Sequence, residues 1–299
     1  MKTTKTKQTF VNLSKKRMYN RRLVSYMYLF HAILNKQMSI ISSNTLFHFT
    51  NSADKIINIL KNGFAPRFCL EELGYEMFFN IKEEYSTESA VPMTCFCDLP
   101  LSKIDNHLEF YGSYGIGLSK EWGKQKGLTP LTYIHDNSTQ INYLKQLGTL
   151  LGNALSGTDI LDTLPMDKNP LIALFELAGF YKPYSGQMWR INKYVDKRFY
   201  DEREWRYVPF IDKIDGPHYR LSKEEFLNEI KRASANDTIA KDYSLKFNCD
   251  DIKYIIVNKE SEMIALFDAL DSMDDVFSTT EIKLLKTKII STQQILEDF

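Results

Sequence analysis

Cysteine is scarce: four residues, at 69, 95, 97 and 249, in a chain of 299. They show neither the paired CxxC spacing of a zinc site nor the density of a secreted disulfide scaffold, so free thiols in the cytoplasm are expected. Long apolar runs are missing too. No stretch approaches the roughly 18 consecutive apolar residues that cross a bilayer, so no membrane partner is expected. Net charge of either sign is absent, with 38 Lys and Arg against 38 Asp and Glu. That balance excludes a basic nucleic-acid coat and an acidic tail. The histidines, among them His48, His107, His135 and His218, show no local ligand spacing, and no metal is expected. Thirteen glycines, nine prolines and 43% hydrophobic residues exclude collagen-like and disordered classes. What remains is a soluble globular chain long enough to bury a substantial core.

Acid is absent from residues 1–38, which hold nine Lys and Arg. All 38 acids therefore fall in 39–299, against the 29 remaining basic residues, so the body is acidic and the arm basic. The apolar run Leu23 to Leu34 imitates a secretory signal, but it has no small-residue cleavage site and contains His31. A basic amphipathic arm could touch nucleic acid or membrane. The expectation is a frayed basic extension over 1–38, either disordered or lying ahead of a true start at Met38, followed by one α+β domain over 39–299.

From Asn44 the pattern is orderly. Thr45 to Thr50 reads as a strand, and Asn51 or Ser52 caps a helix through Ile56, Ile57, Ile59 and Leu60 that stops at Gly63. A polar, irregular stretch follows to Pro92, then a strand over Met93–Cys97 with Cys95 and Cys97 on one face and Phe96 on the other. Ser102 to Tyr111 predicts a helix, the glycine-bearing segment 112–118 runs into a strand, and a short helix begins at Lys120. Leu131–Ile134 is a further strand. Helical spacing over Thr139–Leu155 and again over Asn169–Gly179 suggests a helical insertion around 139–180. Lys182–Gly186 reads as loop and Glu204–Val208 as strand. The tail alternates strand and helix, at 252–257, 261–270, 279–285, 288–290 and 293–299.

Three places could carry chemistry. His48 shares a strand face with Leu46 and Thr50, and reads either as a satisfied core histidine or as a ligand contact. The segment from Asn106 to Gly117 brings Tyr111 and Tyr114 among small residues. It either stacks a planar ring or packs as a glycine-rich turn, and it lacks the dinucleotide fingerprint GxGxxG. The densest polar run, Phe199 to Pro209, places Glu202, Glu204 and Arg206 on one strand face. Glu204 there either pairs with Arg206 or holds a ribose hydroxyl and stabilises positive charge at a sugar carbon.

Taken in order, Phe47-His48-Phe-Thr50, Asn62-Gly63-Phe64, Val91-Pro-Met, Cys95 to Leu101, Tyr111 to Trp122, Lys182 to Gly186 and Tyr200 to Pro209 resemble the AbiGi family of bacterial abortive phage-resistance proteins. The likeness covers about residues 44 to 299. It implies a cytoplasmic component of a two-gene defence module, the antitoxin or regulatory partner of a nucleotidyltransferase-like AbiGii toxin, with its own promoter DNA as a second partner. A looser resemblance, to ADP-ribosyltransferase-like folds, rests on the order of three positions. It implies a mixed sheet core of that type and NAD as substrate. In that case His48 and Thr50 hold the ribose, Tyr111 or Tyr114 stacks on nicotinamide, and Glu204 favours the oxocarbenium-like state. Two classes of function follow, a binding antitoxin and an NAD-consuming transferase.

Overall fold

Thirteen short strands carry the described part of the chain, which a computed structural model gives for residues 43–72, 88–135, 137–155, 176–190, 193–211 and 220–298. The expectations for residues 1–38 lie outside the described residues, as does most of the second insertion helix. In chain order the first strands are β1 (Thr45–Thr50), β2 (Arg67–Glu72), β3 (Glu88–Cys97) and β4 (Tyr114–Ser119). Next come β5 (Thr129–Pro130), β6 (Thr132–Ile134), β7 (Tyr181–Pro183), β8 (Gly186–Arg190) and β9 (Lys193–Lys197). The last are β10 (Glu204–Tyr207), β11 (Leu221–Ser222), β12 (Ile252–Val257) and β13 (Ile289–Ser291).

The main sheet runs β13-β12-β4-β1-β3-β10-β5, with β2 and β11 added to the first half of β3. Its pairs are antiparallel except β12 with β13, so the sheet is mixed, as expected for an α+β fold. β6 with β7, and β8 with β9, form two small separate sheets.

Alternation in β1 decides what each face buries. Leu46 points into a large core with Phe96, Ile116 and Leu118, covered by Ile56 and Leu60 of the helix Ala53–Asn62 and by Leu266 and Leu270 of Met263–Asp271. Phe47 and Phe49 point the other way, into a smaller core with Cys97, Ile256, Leu108 of the helix Asp105–Tyr111 and Ile295 of Thr292–Asp298. Cys97 and Phe96 thus part to opposite faces, as the alternation predicts.

Ser52 caps the helix Ala53–Asn62 by accepting from the amide of Lys55, and the helices over 105–111, 120–125 and 139–155 stand where apolar spacing places them. Two expectations need correction. The stretch before Pro92 is not irregular throughout, because β2 and the first half of β3 pair from Arg67↔Met93 to Glu72↔Glu88. Pro92 is tolerated inside β3 because it falls between the partners β11 takes, at Ser89 and Ala90, and those β10 takes from Thr94 onward, where one edge of β3 is unpaired. Lys182–Gly186 is not simple loop but the end of β7 and the start of β8. A segment with no assignment from the sequence, Glu229–Tyr243, lacks legible apolar spacing and is a helix; its buried residues are Ala235, Asn236 and Ile239. Asn236 is usable there because its side-chain oxygen accepts from the amide of Phe68, 2.9 Å away. Among the described residues no helix is long and apolar enough to cross a membrane.

The sheet has one weak seam. β1 pairs with β4 at six positions but with β3 only at Phe47↔Cys97. Past that pair the ladder stops, and a cleft of about 1190 Å³ is lined by residues of both strands.

Candidate functional site

Glu204 opens β10 directly after a tight turn, Phe199–Glu202, that ends on Arg203 in the left-handed region at φ 44°. Arg203 is the one non-glycine residue among those described with positive φ. The kink takes Glu202 out of the strand, so the expected shared strand face holds for Glu204 and Arg206 alone. Glu202 nevertheless returns to the same place through a shared lysine. Lys182 Nζ donates to Glu202 Oε2 and to Glu204 Oε2, each at 2.8 Å. Lys197 Nζ lies 2.5 Å from Glu202 Oε1, and the Tyr111 hydroxyl donates to that same oxygen. Arg206, with no exposed surface, donates from Nε to Glu204 Oε1 at 2.8 Å, from Nη1 to the Gly179 carbonyl at 2.8 Å and from Nη2 to Glu71 Oε2 at 3.3 Å. The amide of Glu204 donates to the Tyr133 hydroxyl at 2.9 Å.

Three carboxylates, of Glu71, Glu202 and Glu204, therefore meet three cations, of Lys182, Lys197 and Arg206, in a neutral buried network. Burial alone would raise the Glu204 carboxyl, but the Arg206 and Lys182 charges, with hydrogen bonds from Arg206 and Cys95, hold it well below the usual carboxylate range. Glu202 is lowered for the same reason, burial being outweighed by Lys182 and Lys197. Lys182 is raised well above the ordinary lysine value because Glu204 and Glu202 overcome its desolvation. Burial, then Glu202, pushes the Tyr111 hydroxyl up, and burial holds His107, its ring tilted against that of Tyr111 with centres 4.4 Å apart, down to about 4. Burial also raises the thiols of Cys69, Cys95 and Cys97, so none is a poised nucleophile.

The depressed carboxylates fix the sign of acid sensitivity. A group whose folded value lies below its unfolded value of 4.5 contributes full stability above that pH and loses it as the pH falls toward the folded value. The denaturant midpoint is therefore expected to fall steeply from about pH 5 downward, and Glu204→Gln to flatten that slope while lowering stability at pH 7. Equal slopes for both proteins, read from denaturation curves at pH 7, 5, 4 and 3, would contradict this.

The five residues singled out from the sequence do not meet at one point. Glu204 shares its sheet face with Phe47 and Cys97, through the registers Glu204↔Cys97 and Phe47↔Cys97, and Tyr111 joins it through Glu202. His48, Thr50 and Tyr114 occupy the opposite face: Thr50 is buried beside Tyr114, whose hydroxyl donates to Glu262 Oε1 at 3.2 Å. His48, Thr50, Tyr111 and Glu204 all line the cleft, whereas Tyr114 does not.

The half-buried His48 repairs the seam. Its Nδ1 donates to the Cys95 carbonyl at 2.8 Å, a bond the stopped ladder would otherwise supply, and burial lowers its pKa, so the ring is neutral with Nε2 left as acceptor. Its ring also packs on Phe64 and Phe96. The glycine-rich segment is a packing device. A Cβ at Gly117 would stand 2.7 Å from the Phe47 ring, and one at Gly115 would stand 3.0 Å from Phe49, so both glycines let those rings lie across β4.

Sequence reasoning reached Glu204, Arg206 and Tyr111 but not Lys182, Lys197, Tyr133 or Glu71. For Lys182 a signal exists, its place at the head of the Lys182–Gly186 motif. Tyr133 and Glu71 carry none, since pairing between distant segments leaves no local pattern, and Lys197, five residues before Glu202, meets it only because of the turn between them. Among the described residues no group of His, Cys, Asp and Glu is arranged to hold a metal ion.

Comparison with known sequences now bears on this arrangement. A family model described as "Putative abortive phage resistance protein AbiGi, antitoxin" matches residues 62–258. That span contains Tyr111, Lys182, Lys197, Glu202, Glu204 and Arg206, and begins after His48 and Thr50. The abortive phage resistance protein AbiGi of Lactococcus lactis subsp. cremoris is 28% identical over 256 residues, covering 79% of this chain and 99% of that protein. No solved structure matches. The likeness to ADP-ribosyltransferase folds thus rests on residue order alone, while sequence, motif order and length agree that this chain belongs to the AbiGi family of abortive phage resistance proteins.

Proposed function

We propose that the chain is the antitoxin of a two-component abortive-infection module, acting in the bacterial cytoplasm by binding and restraining a nucleotidyltransferase-like toxin. The family match over 62–258, with its antitoxin description, carries this reading. The state of Glu204 supports it over catalysis. A carboxylate that stabilises developing positive charge needs charge to spare. Glu204 already faces Arg206 and Lys182 at 2.8 Å on its two oxygens, and it is buried. Contact with its own promoter DNA falls in this reading to the nine Lys and Arg of residues 1–38, because phosphate binding needs clustered cations and the body is acidic.

One observation favours a second reading, NAD-dependent ADP-ribosyl transfer at Glu204: a single cleft reaches both His48 and Glu204. It requires Lys182 and Arg206 to release that carboxylate. Purified protein incubated with labelled NAD and cell extract separates the two. The antitoxin reading expects no nicotinamide release, and co-purification with the toxin encoded beside it. Release that disappears in Glu204→Gln would replace it with the transferase.

A further inference from the structure

The carboxylates lining the cleft are all spoken for, and most of its cations are not. Glu71 pairs with Arg206, Glu88 with Lys223, Glu202 with Lys182 and Lys197, and Glu204 with Lys182 and Arg206. Of the four cleft-lining cations, Lys182 is consumed by two of these pairs, whereas Lys55, Arg67 and Lys145 have no carboxylate partner among the described residues. Among the described residues Lys55 donates to the side-chain oxygen of Asn51, at 2.9 Å. All three are exposed. In a body with nine more acids than bases, three cations around one cleft with no carboxylate partner among the described residues are the feature that stands out.

Two residues lining the cleft, Thr94 and His48, also carry polar atoms with no hydrogen-bond partner among the described residues. Thr94 Oγ1 is buried without a hydrogen-bond partner, and Nε2 of His48 makes no hydrogen bond among the described residues. Leaving a buried hydroxyl unpaired is costly, and such groups in a cleft read as contacts awaiting a ligand. At about 1190 Å³ the cleft exceeds what a bare phosphate would need and suits a ligand the size of a nucleotide.

We propose that this cleft binds a phosphorylated, nucleotide-sized ligand, its phosphates held by Lys55, Arg67 and Lys145 and its sugar or base hydrogen-bonding to Thr94 and His48. The Glu202–Glu204 network forms the floor of the site and contributes no net charge to it. This goes beyond the antitoxin reading and does not depend on it, since the ligand binds the free chain and need not be turned over.

Calorimetric titration of the full chain with ATP, NAD and inorganic pyrophosphate tests it. At least one nucleotide is expected to bind, more tightly than pyrophosphate and more weakly as salt is raised. Lys55→Ala, Arg67→Ala and Lys145→Ala are each expected to raise Kd about tenfold, and the triple variant to lose measurable binding. Because these side chains are exposed, Tm should stay at the wild-type value. Lys253→Ala, outside the cleft, should leave Kd unchanged. No binding of either nucleotide by the wild type, binding unaltered in the triple variant, or pyrophosphate binding as tightly as the nucleotides would each overturn the proposal.

Discussion

Arg206→Ala lowers the stability of the folded chain by about 3–5 kcal/mol, the largest single-residue effect expected here. Arg206 is wholly buried and satisfies three acceptors at once: Glu204, Glu71 and the carbonyl of Gly179. Removing it leaves Glu204 buried with Lys182 as its one cation among the described residues, the carbonyl of Gly179 without this donor, and a cavity where the guanidinium lay. The comparison that isolates charge from packing is the double change Arg206→Met with Glu204→Leu. It removes both ions, restores volume, and is expected to recover a large part of the loss. Denaturant titration at pH 7 reads both. A single variant within 1 kcal/mol of wild type, on the order of a surface ion pair, would mean the network is not the buried clamp described above.

Gly112→Ala is expected to cost roughly 3 kcal/mol or more, from two sources that add. The residue sits at φ 107°, where a side chain is strained, and its Cβ would stand 2.3 Å from the carbonyl oxygen of Thr50. That oxygen belongs to the end of β1, so the clash cannot be relieved by turning a side chain. It must move the strand that carries His48 or the helix that carries Tyr111. Gly127→Ala supplies the contrast, with φ 80° but nothing within 4 Å of the added carbon. It should cost only the backbone strain, about 1 kcal/mol. In a chain of this size the first change should lower Tm by roughly 10 °C and the second by about 3 °C. Equal shifts would show that strain alone, without the contact to β1, sets the cost.

Much of the scaffold was legible because its segments carry local signals. β1 alternates, the helix at 53–62 has a cap and an apolar stripe, and β12 is a continuous apolar run. The helix at 229–243 was not, since it buries a polar residue, Asn236, that only a partner 168 positions away makes acceptable. β2 was hidden similarly: Phe68, Cys69 and Leu70 are too short an apolar run, flanked by Arg67 and two glutamates, to mark a strand until β3 pairs with it. The site divided along the same line. Glu204 and Arg206 are two apart on one strand and their pairing could be read directly. The lysines that neutralise the carboxylates arrive from β7 and β9, Lys182 from 20 and 22 positions before Glu202 and Glu204 and Lys197 from across the turn that precedes β10, and no strand alternation links either to its partner. The sheet face of His48 also follows from alternation, but that Glu204 lies on the opposite face requires the register through Cys97, which no single segment contains.

The most direct test of the antitoxin reading is growth of cells that express the neighbouring toxin with and without this chain. Growth arrested by the toxin should resume when the full chain is co-expressed, and should resume equally with Glu204→Gln, provided that variant remains folded at pH 7. If the chain arrests growth when expressed alone, and Glu204→Gln abolishes that arrest, the chain is the effector and not the antitoxin.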